Sequence, residues 1–448
     1  MPRSVIELGD VSDRSAGPHP DDALPRLDRR LVRRLGAAAV ALVCAVAFGG
    51  SAAPGPPTVH EAWSLPVGEP QAAIIAGGAT FVHRMAGGRA ELAAYDLATG
   101  APRWTWPAGP ELGILEALPG AGILLLRTGQ LSVEQPFPDG STGTLIFHRE
   151  TTALDPATGD RLWTRPGEPL PGTTGEVLLE QRDEQGAVRS LSLVTARDGK
   201  QIWRRPATGV QTATVGLRDG RPHAIVTATA AGVISVLAYA DGRPVRSRSL
   251  RWQATRPSSG YDTWLRVVGD RLFVMLTEPR GSTVTAYRLD TLQQLWQKPA
   301  DRYPDVHDCG ALLCQTDDEI LSGVDPATGE RRWELPGIAF VLWSGDGRVL
   351  AGDGRDPPHY QLVDAADGRR IGPGGVGQAY PEPGAGSVLL LRPFAGAGGR
   401  TAVSRLDLRT GRVVLLGSIP PHHEFGCDAA EGHLLCRSTD RMVVSTTG

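Results

Sequence analysis

One short unit recurs along most of this chain: an extended run ends near an acidic residue, turns through glycine and resumes on a bulky side chain. It reads YDLATGAPRW (Tyr95 to Trp104), LDPATGDRLW (Leu154 to Trp163), VTARDGKQIW (Val194 to Trp203) and YADGRPV (Tyr239 to Val245). It continues as LDTLQQLW (Leu289 to Trp296), VDPATGERRW (Val324 to Trp333), VDAADGRRI (Val363 to Ile371) and LDLRTGRVV (Leu406 to Val414). The turn glycines are Gly100, Gly159, Gly199, Gly242, Gly329, Gly368 and Gly411, and Leu292 stands in their place in the fifth copy. Glycine takes the positive φ of a tight hairpin turn, and Asp or Thr side chains bond the turn's own backbone. Each unit therefore predicts a β-hairpin.

Successive turns lie 37 to 59 residues apart. Two further apolar runs separate them, for example TWLRVV (Thr263 to Val268) and RLFVML (Arg271 to Leu276), which makes four strands per period. With 56 Gly and 36 Pro in 448 residues, the chain suits many short strands and no long helical repeat. Four-stranded units at this period stack radially as propeller blades. The longest interval carries an insertion, SVEQPFPDGSTGT (Ser132 to Thr144). HEAWSLP (His60 to Pro66) looks like an outer strand, and HEFGC, HLLCR and RMVVS near the other end supply three partners for it, so one blade joins both ends of the ring. Nine sets result, above the usual four to eight, and residues 164–190 carry the weakest strand pattern. The expectation is an all-β propeller over residues 60–448 with eight blades, or alternatively seven.

These residues resemble the pyrroloquinoline-quinone-like (PQQ-like) β-propeller repeat, whose pattern is A-x-D-x-x-T-G-x-x-x-W. Ala94, Asp96, Thr99, Gly100 and Trp104 match it fully, as do Ala153, Asp155, Thr158, Gly159 and Trp163; Asp325, Thr328, Gly329 and Trp333 match all but the first position. The resemblance implies that Trp104, Trp163, Trp203, Trp296 and Trp333 dock on glycine turns of neighbouring blades such as Gly100, Gly159, Gly199 and Gly329. It also raises a quinoprotein dehydrogenase as the alternative activity. Members of that class hold Ca²⁺ with Glu, Asn and Asp and often cover the quinone with adjacent cysteines. This sequence has no asparagine and no Cys-Cys pair, so no cofactor and no enzymatic role is expected. The nearest functional analogue in the family is the outer-membrane assembly-factor lipoprotein, a non-enzymatic propeller.

Ahead of the repeats, Leu35 to Ala53 is a 19-residue stretch without a charge. As a helix it would reach about 28 Å, close to the thickness of a bilayer's hydrocarbon core. Arg29, Arg30, Arg33 and Arg34 precede it and favour a cytoplasmic N-terminus. The expected plan is a disordered cytoplasmic tail (1–34), a signal-anchor transmembrane helix (35–53), a linker (54–59) and an exported propeller (60–448). A cleaved signal peptide ending near Ala52 or Ala53, and lipid attachment at Cys44, are the competing readings. Cys309 and Cys314, and Cys427 and Cys436, form two local pairs where one short strand turns into the next, the arrangement of cross-strand disulfides in an oxidising compartment. A metal site would draw on His307, His422, His423 or His433, but the cysteine spacings do not repeat as metal-binding pairs do.

Lys+Arg 46 against Asp+Glu 49 leaves a net charge of -3, which argues against a nucleic-acid partner. There is no nucleophile elbow, phosphate loop, H-E-x-x-H or dinucleotide fingerprint. Asp346, Asp353 and Asp356 miss the ligand spacing of an EF-hand loop and read as hairpin turns. What remains is a membrane-tethered, extracytoplasmic scaffold that binds a protein or small ligand at the cell envelope.

Overall fold

The computed structural model describes residues 58–448, apart from 67–71, 110–111, 113–115, 137–141, 171–174, 219, 230, 251–262, 279–280, 301–303, 318, 395–398, 423–425 and 439–440. The expected tail, span and most of the linker lie outside these residues. Among those described, no helix is long and apolar enough to cross a membrane. The described chain is all-β save one three-residue 3-10 turn, Pro119–Ala121.

Eight antiparallel sheets follow one another along the chain. Seven have four strands: residues 72–107, 116–166, 263–300, 305–336, 340–376, 378–419, and a closing sheet in which His60–Pro66 pairs with Arg441–Thr446. The eighth has seven strands and spans residues 168–249, because Gln201–Arg218 serves two hairpin sets. The first part of that strand pairs with Val188–Thr195 and the second part with Arg221–Thr229. The weak stretch at 164–190 does form strands, but its first is only Glu168–Pro169. Hence the nine repeat sets occupy eight sheets.

Apolar alternation explains how the sheets stack. Each inner strand buries side chains on both faces, and every hydrophobic cluster joins two consecutive sets, and all but the one within the seven-stranded sheet join two sheets. Phe81 and Leu92 pack with Leu124 and Leu154; Leu125 and Trp163 with Leu179 and Val194; Phe273 and Trp296 with Leu313 and Val324. The series closes on itself, since Leu389 and Leu391 meet Leu434, while Leu435 and Val444 meet Val82 and Tyr95. Polar groups reinforce this last junction. Asp428 accepts from the Ile75 amide at 2.7 Å, and Glu431 accepts from the Gly77 and Gly78 amides at 2.7 and 2.8 Å.

Candidate interaction site

The repeat turns are built alike. The amides of Gly100, Gly159 and Gly329 each donate to the carbonyl of the preceding turn Asp (Asp96, Asp155, Asp325) at 2.8 to 2.9 Å, and each glycine has φ between +70° and +77°. A tryptophan from the preceding set covers each glycine. Trp104 lies on Gly159, Trp163 on Gly199, Trp203 on Gly242, Trp296 on Gly329 and Trp333 on Gly368, with ring atoms 2.5 to 2.8 Å from where a β-carbon would stand. Each indole N–H donates to a carbonyl of the same turn: Pro156, Ala196, Tyr239, Pro326 and Ala365 respectively, at 2.8 to 3.1 Å. Gly100 is covered by Trp63 from the closing sheet, whose N–H reaches the Leu97 carbonyl at 2.8 Å. Trp63 is the member that repeat matching leaves out, because its own turn is interrupted; the HEAWSLP outer-strand pattern is the signal that finds it.

Where Leu292 replaces glycine, the arrangement changes on both sides of the contact. Leu292 adopts φ 55 and is fully buried between neighbouring sheets. The preceding outer strand carries Arg246 where Trp104, Trp163, Trp203, Trp296 and Trp333 stand in theirs, and Arg248 donates to the Leu292 carbonyl at 2.7 Å.

Both expected cysteine pairs are disulfides. Cys309–Cys314 bridges diagonally between the strands Asp305–Cys309 and Leu312–Asp317, with Cα atoms 5.7 Å apart. Cys427–Cys436 joins direct register partners in the closing sheet at 4.1 Å. His422 approaches both sulfurs of the second pair, within 4.8 Å, but joined sulfurs offer no thiolate to a metal. His423 lies outside the described residues. Asp353 is occupied by its own loop, accepting from the His359 amide at 2.8 Å and the Arg355 amide at 3.3 Å.

The feature that departs from the repeat is the insertion. Ile123–Pro136 and Thr142–Leu154 form one continuous hairpin, paired in register from Leu124 with Leu154 to Pro136 with Thr142. Its neighbours are far shorter: Glu116–Leu118 pairs only with residues 123–125, and Arg161–Pro166 only with residues 150–154. The rest of the hairpin projects beyond its sheet from the side opposite the glycine turns. One face, with Leu131, Val133, Leu145 and Phe147, rests on the turn Asp183–Ala187 of the seven-stranded sheet; a side chain at Gly186 would meet Phe147 at 3.1 Å and Val133 at 3.4 Å.

Charged groups fix this contact. Arg182 stacks on the Phe147 ring at 4.4 Å and pairs with Glu180, which is buried. Burial pushes the Glu180 carboxyl up against the opposing pull of Arg182, and Glu168, its direct partner across the strands, adds to the rise. His148 on the hairpin holds Glu168 at 2.7 Å, and Arg149 pairs with Glu184 across the junction. Between hairpin and turn opens a cleft of about 730 Å³, lined in part by Arg149, Glu150, Pro166, Arg182, Glu184 and Arg189. That volume lies within the ordinary range for ligand pockets.

The outer membrane protein assembly factor BamB family model matches residues 148–308 and 187–339, which include the turns at Gly159, Gly199, Gly242 and Gly329. Residues 148–339 carry PQQ-like β-propeller repeats. Among solved structures, BamB from Moraxella catarrhalis is 15% identical, covering 82% of this chain and 99% of its own, with a TM-score of 0.43. A eukaryotic initiation factor is 10% identical over 80% of this chain and 93% of its own, with a TM-score of 0.53, a likeness of fold alone. Dihydro-heme d1 dehydrogenase NirN, in complex with DHE, is 12% identical over 67% of this chain and 65% of its own, at 0.42. No curated protein matches the chain. The PQQ-like repeat accounts for the tryptophan-on-glycine contacts, whereas the projecting hairpin and its cleft depart from the repeat pattern of this chain's other sheets.

Proposed function

We infer that this protein is a non-enzymatic PQQ-like propeller, tethered by residues 35–53 and exported beyond the membrane, which acts as a protein-interaction scaffold at the cell envelope. Its ring counts eight hydrogen-bonded sheets, one of which serves two turns of the repeat. The observation that carries the reading is the hairpin 123–154, which extends past its sheet and is braced by ion pairs and stacking at its base. A surface element held in this way presents backbone and side chains to a partner at little cost in conformational entropy. The two disulfides suit an oxidising compartment, in keeping with export.

The test is affinity capture with the full chain, solubilised in mild detergent, from envelope extract, run beside absorption spectroscopy and metal analysis of the same sample. A reproducible protein partner is the expected result. A bound quinone with stoichiometric Ca²⁺ and no partner would overturn the reading in favour of a dehydrogenase.

A further inference from the structure

The projecting hairpin has an open edge whose chemistry specifies its occupant. Residues 142–148 pair with 130–136 on one side and, among the described residues, with no strand on the other. The orientation of the free groups follows from one bond at the base. The Gly167 amide donates to the Arg149 carbonyl at 2.7 Å, so Arg149 directs its backbone outward. Alternation with a period of two then directs the N–H and C=O of Gly143, Leu145 and Phe147 to the same open edge, while Thr144, Ile146 and His148 bond inward. The edge TGTLIFH carries none of the protections that natural sheets use, neither lysine nor proline nor a bulge. The opposite strand carries Glu134 and Pro136, and at Gly129 it takes φ 69. Beside the open edge, Ile146 is 56% exposed although its neighbours on that face are polar.

We propose that the edge Gly143–Phe147 binds an extended segment of a partner protein by β-strand addition, antiparallel to residues 142–148, with an apolar side chain against Ile146. The added strand continues the line of Arg161–Pro166, which stops where Pro166 and Gly167 lead into the next sheet. Its end enters the cleft beside Arg149 and Arg189. Arg189 is exposed and, among the described residues, makes no ion pair, so it is available to an acidic group at that end. A cleft of about 730 Å³ at that end has room for a single extended chain. The proposal rests on the interaction-scaffold reading and names its binding element.

The experiment selects displayed random heptapeptides on the immobilised full chain and measures the enriched sequences against wild type, Leu145→Pro, Leu145→Ala and Ile146→Pro. Proline at Leu145 removes an outward amide and leaves the inward bonds of the hairpin, a position where edge strands tolerate it. Enriched peptides are expected to alternate apolar and polar residues. Leu145→Pro should weaken their binding at least tenfold, about 1.4 kcal/mol, whereas Leu145→Ala, which loses the same packing on Asp183–Ala187 but keeps the outward amide, should bind them as wild type does. Ile146→Pro, which breaks an inward bond, should lower both binding and the thermal transition. Equal enrichment on wild type and Leu145→Pro would overturn the proposal, as would a wild-type dimer that Leu145→Pro dissociates. If Leu145→Pro still captures the envelope partner, this edge is wrong and the scaffold reading stands; if wild type captures no partner at all, the scaffold reading itself fails.

Discussion

The Trp163 ring lies against Gly199 so closely that its Cγ stands 2.5 Å from the place of a β-carbon, and its N–H reaches the Ala196 carbonyl at 2.8 Å. The contact needs both partners. Gly199 has φ +64, which alone disfavours any other residue by about 1–2 kcal/mol, and an added methyl would also push the indole off the turn. Gly199→Ala is therefore expected to destabilise clearly more than Gly209→Ala, where φ is +80 but nothing lies within 4 Å. Trp163→Ala should cost about 3–5 kcal/mol, in the manner of large buried aromatics. Guanidinium unfolding of the three variants checks the order, and equal losses for the two glycines would remove the docking argument.

Leu292 tests the same contact from its exception. It is buried at φ 55, and the tryptophan position opposite is Arg246. Leu292→Gly relieves about 1 kcal/mol of backbone strain and deletes a buried side chain whose loss costs roughly 2–5 kcal/mol, so a net loss is expected. Adding Arg246→Trp should recover part of it by restoring the indole-on-glycine pair. If the double variant is no more stable than Leu292→Gly, the two positions are not coupled.

The difference between these sites shows what could be read in advance. Asp-Thr-Gly-Trp spacing carries the docking pairs because backbone conformation and ring packing both demand particular residues, and such demands leave a motif. The cysteine pairs were legible for a similar reason, since a hairpin fixes which residues face each other. The seven-stranded sheet was not legible: nothing in PATGVQTAT announces that Gln201–Arg218 runs on without a break, because any β-prone sequence continues a strand when both sides offer partners. The insertion was visible at Ser132 to Thr144, but not its projection, which depends on how short the flanking strands are. The Arg182 contact with Phe147 lies between sheets, and no spacing along the chain encodes it.

The disulfides should contribute separately. Cys427–Cys436 closes a separation of nine residues, for which the loop-entropy argument gives about 2–3 kcal/mol. Cys427→Ser/Cys436→Ser is expected to lower the melting temperature and to loosen the junction between the closing sheet and the sheet of residues 378–419, where both cysteines pack. Under native, non-reducing conditions a thiol reagent should label none of Cys309, Cys314, Cys427 and Cys436. Labelling at any of the four before reduction would contradict the paired state.

Acid should act first on the turns. Arg103 holds the Asp96 carboxyl down to about 2, helped by Thr99, and Arg332 lowers Asp325 in the same way. A folded-state value below the unfolded one means that these carboxylates stabilise the fold above about pH 3.8 and lose that contribution as pH falls toward 2. The melting temperature of wild type should drop through this window, and Asp96→Asn/Asp325→Asn should start lower with a flatter acid limb. An unchanged slope in the double variant would show that the turn carboxylates do not drive the transition.

At the hairpin base, Arg182 serves two neighbours, and its removal should harm the one that is buried. Arg182→Ala deletes the stacking on Phe147, worth about 0.5–2 kcal/mol, and leaves the Glu180 carboxylate without its ion-pair partner, which typically costs about 3–5 kcal/mol. Burial already pushes Glu180 up, so loss of the arginine raises it further. With the folded value above the unfolded one, the deficit is full at high pH and is relieved as pH falls through the folded value and the carboxyl takes up a proton. The single variant should thus be weakest at alkaline pH and recover on mild acidification. Arg182→Met/Glu180→Gln, which removes both charges and keeps the bulk over Phe147, should hold most of the wild-type stability and show no such recovery. A single variant whose deficit is independent of pH would mean that the stacking on Phe147, and not the buried carboxylate, is what Arg182 supplies.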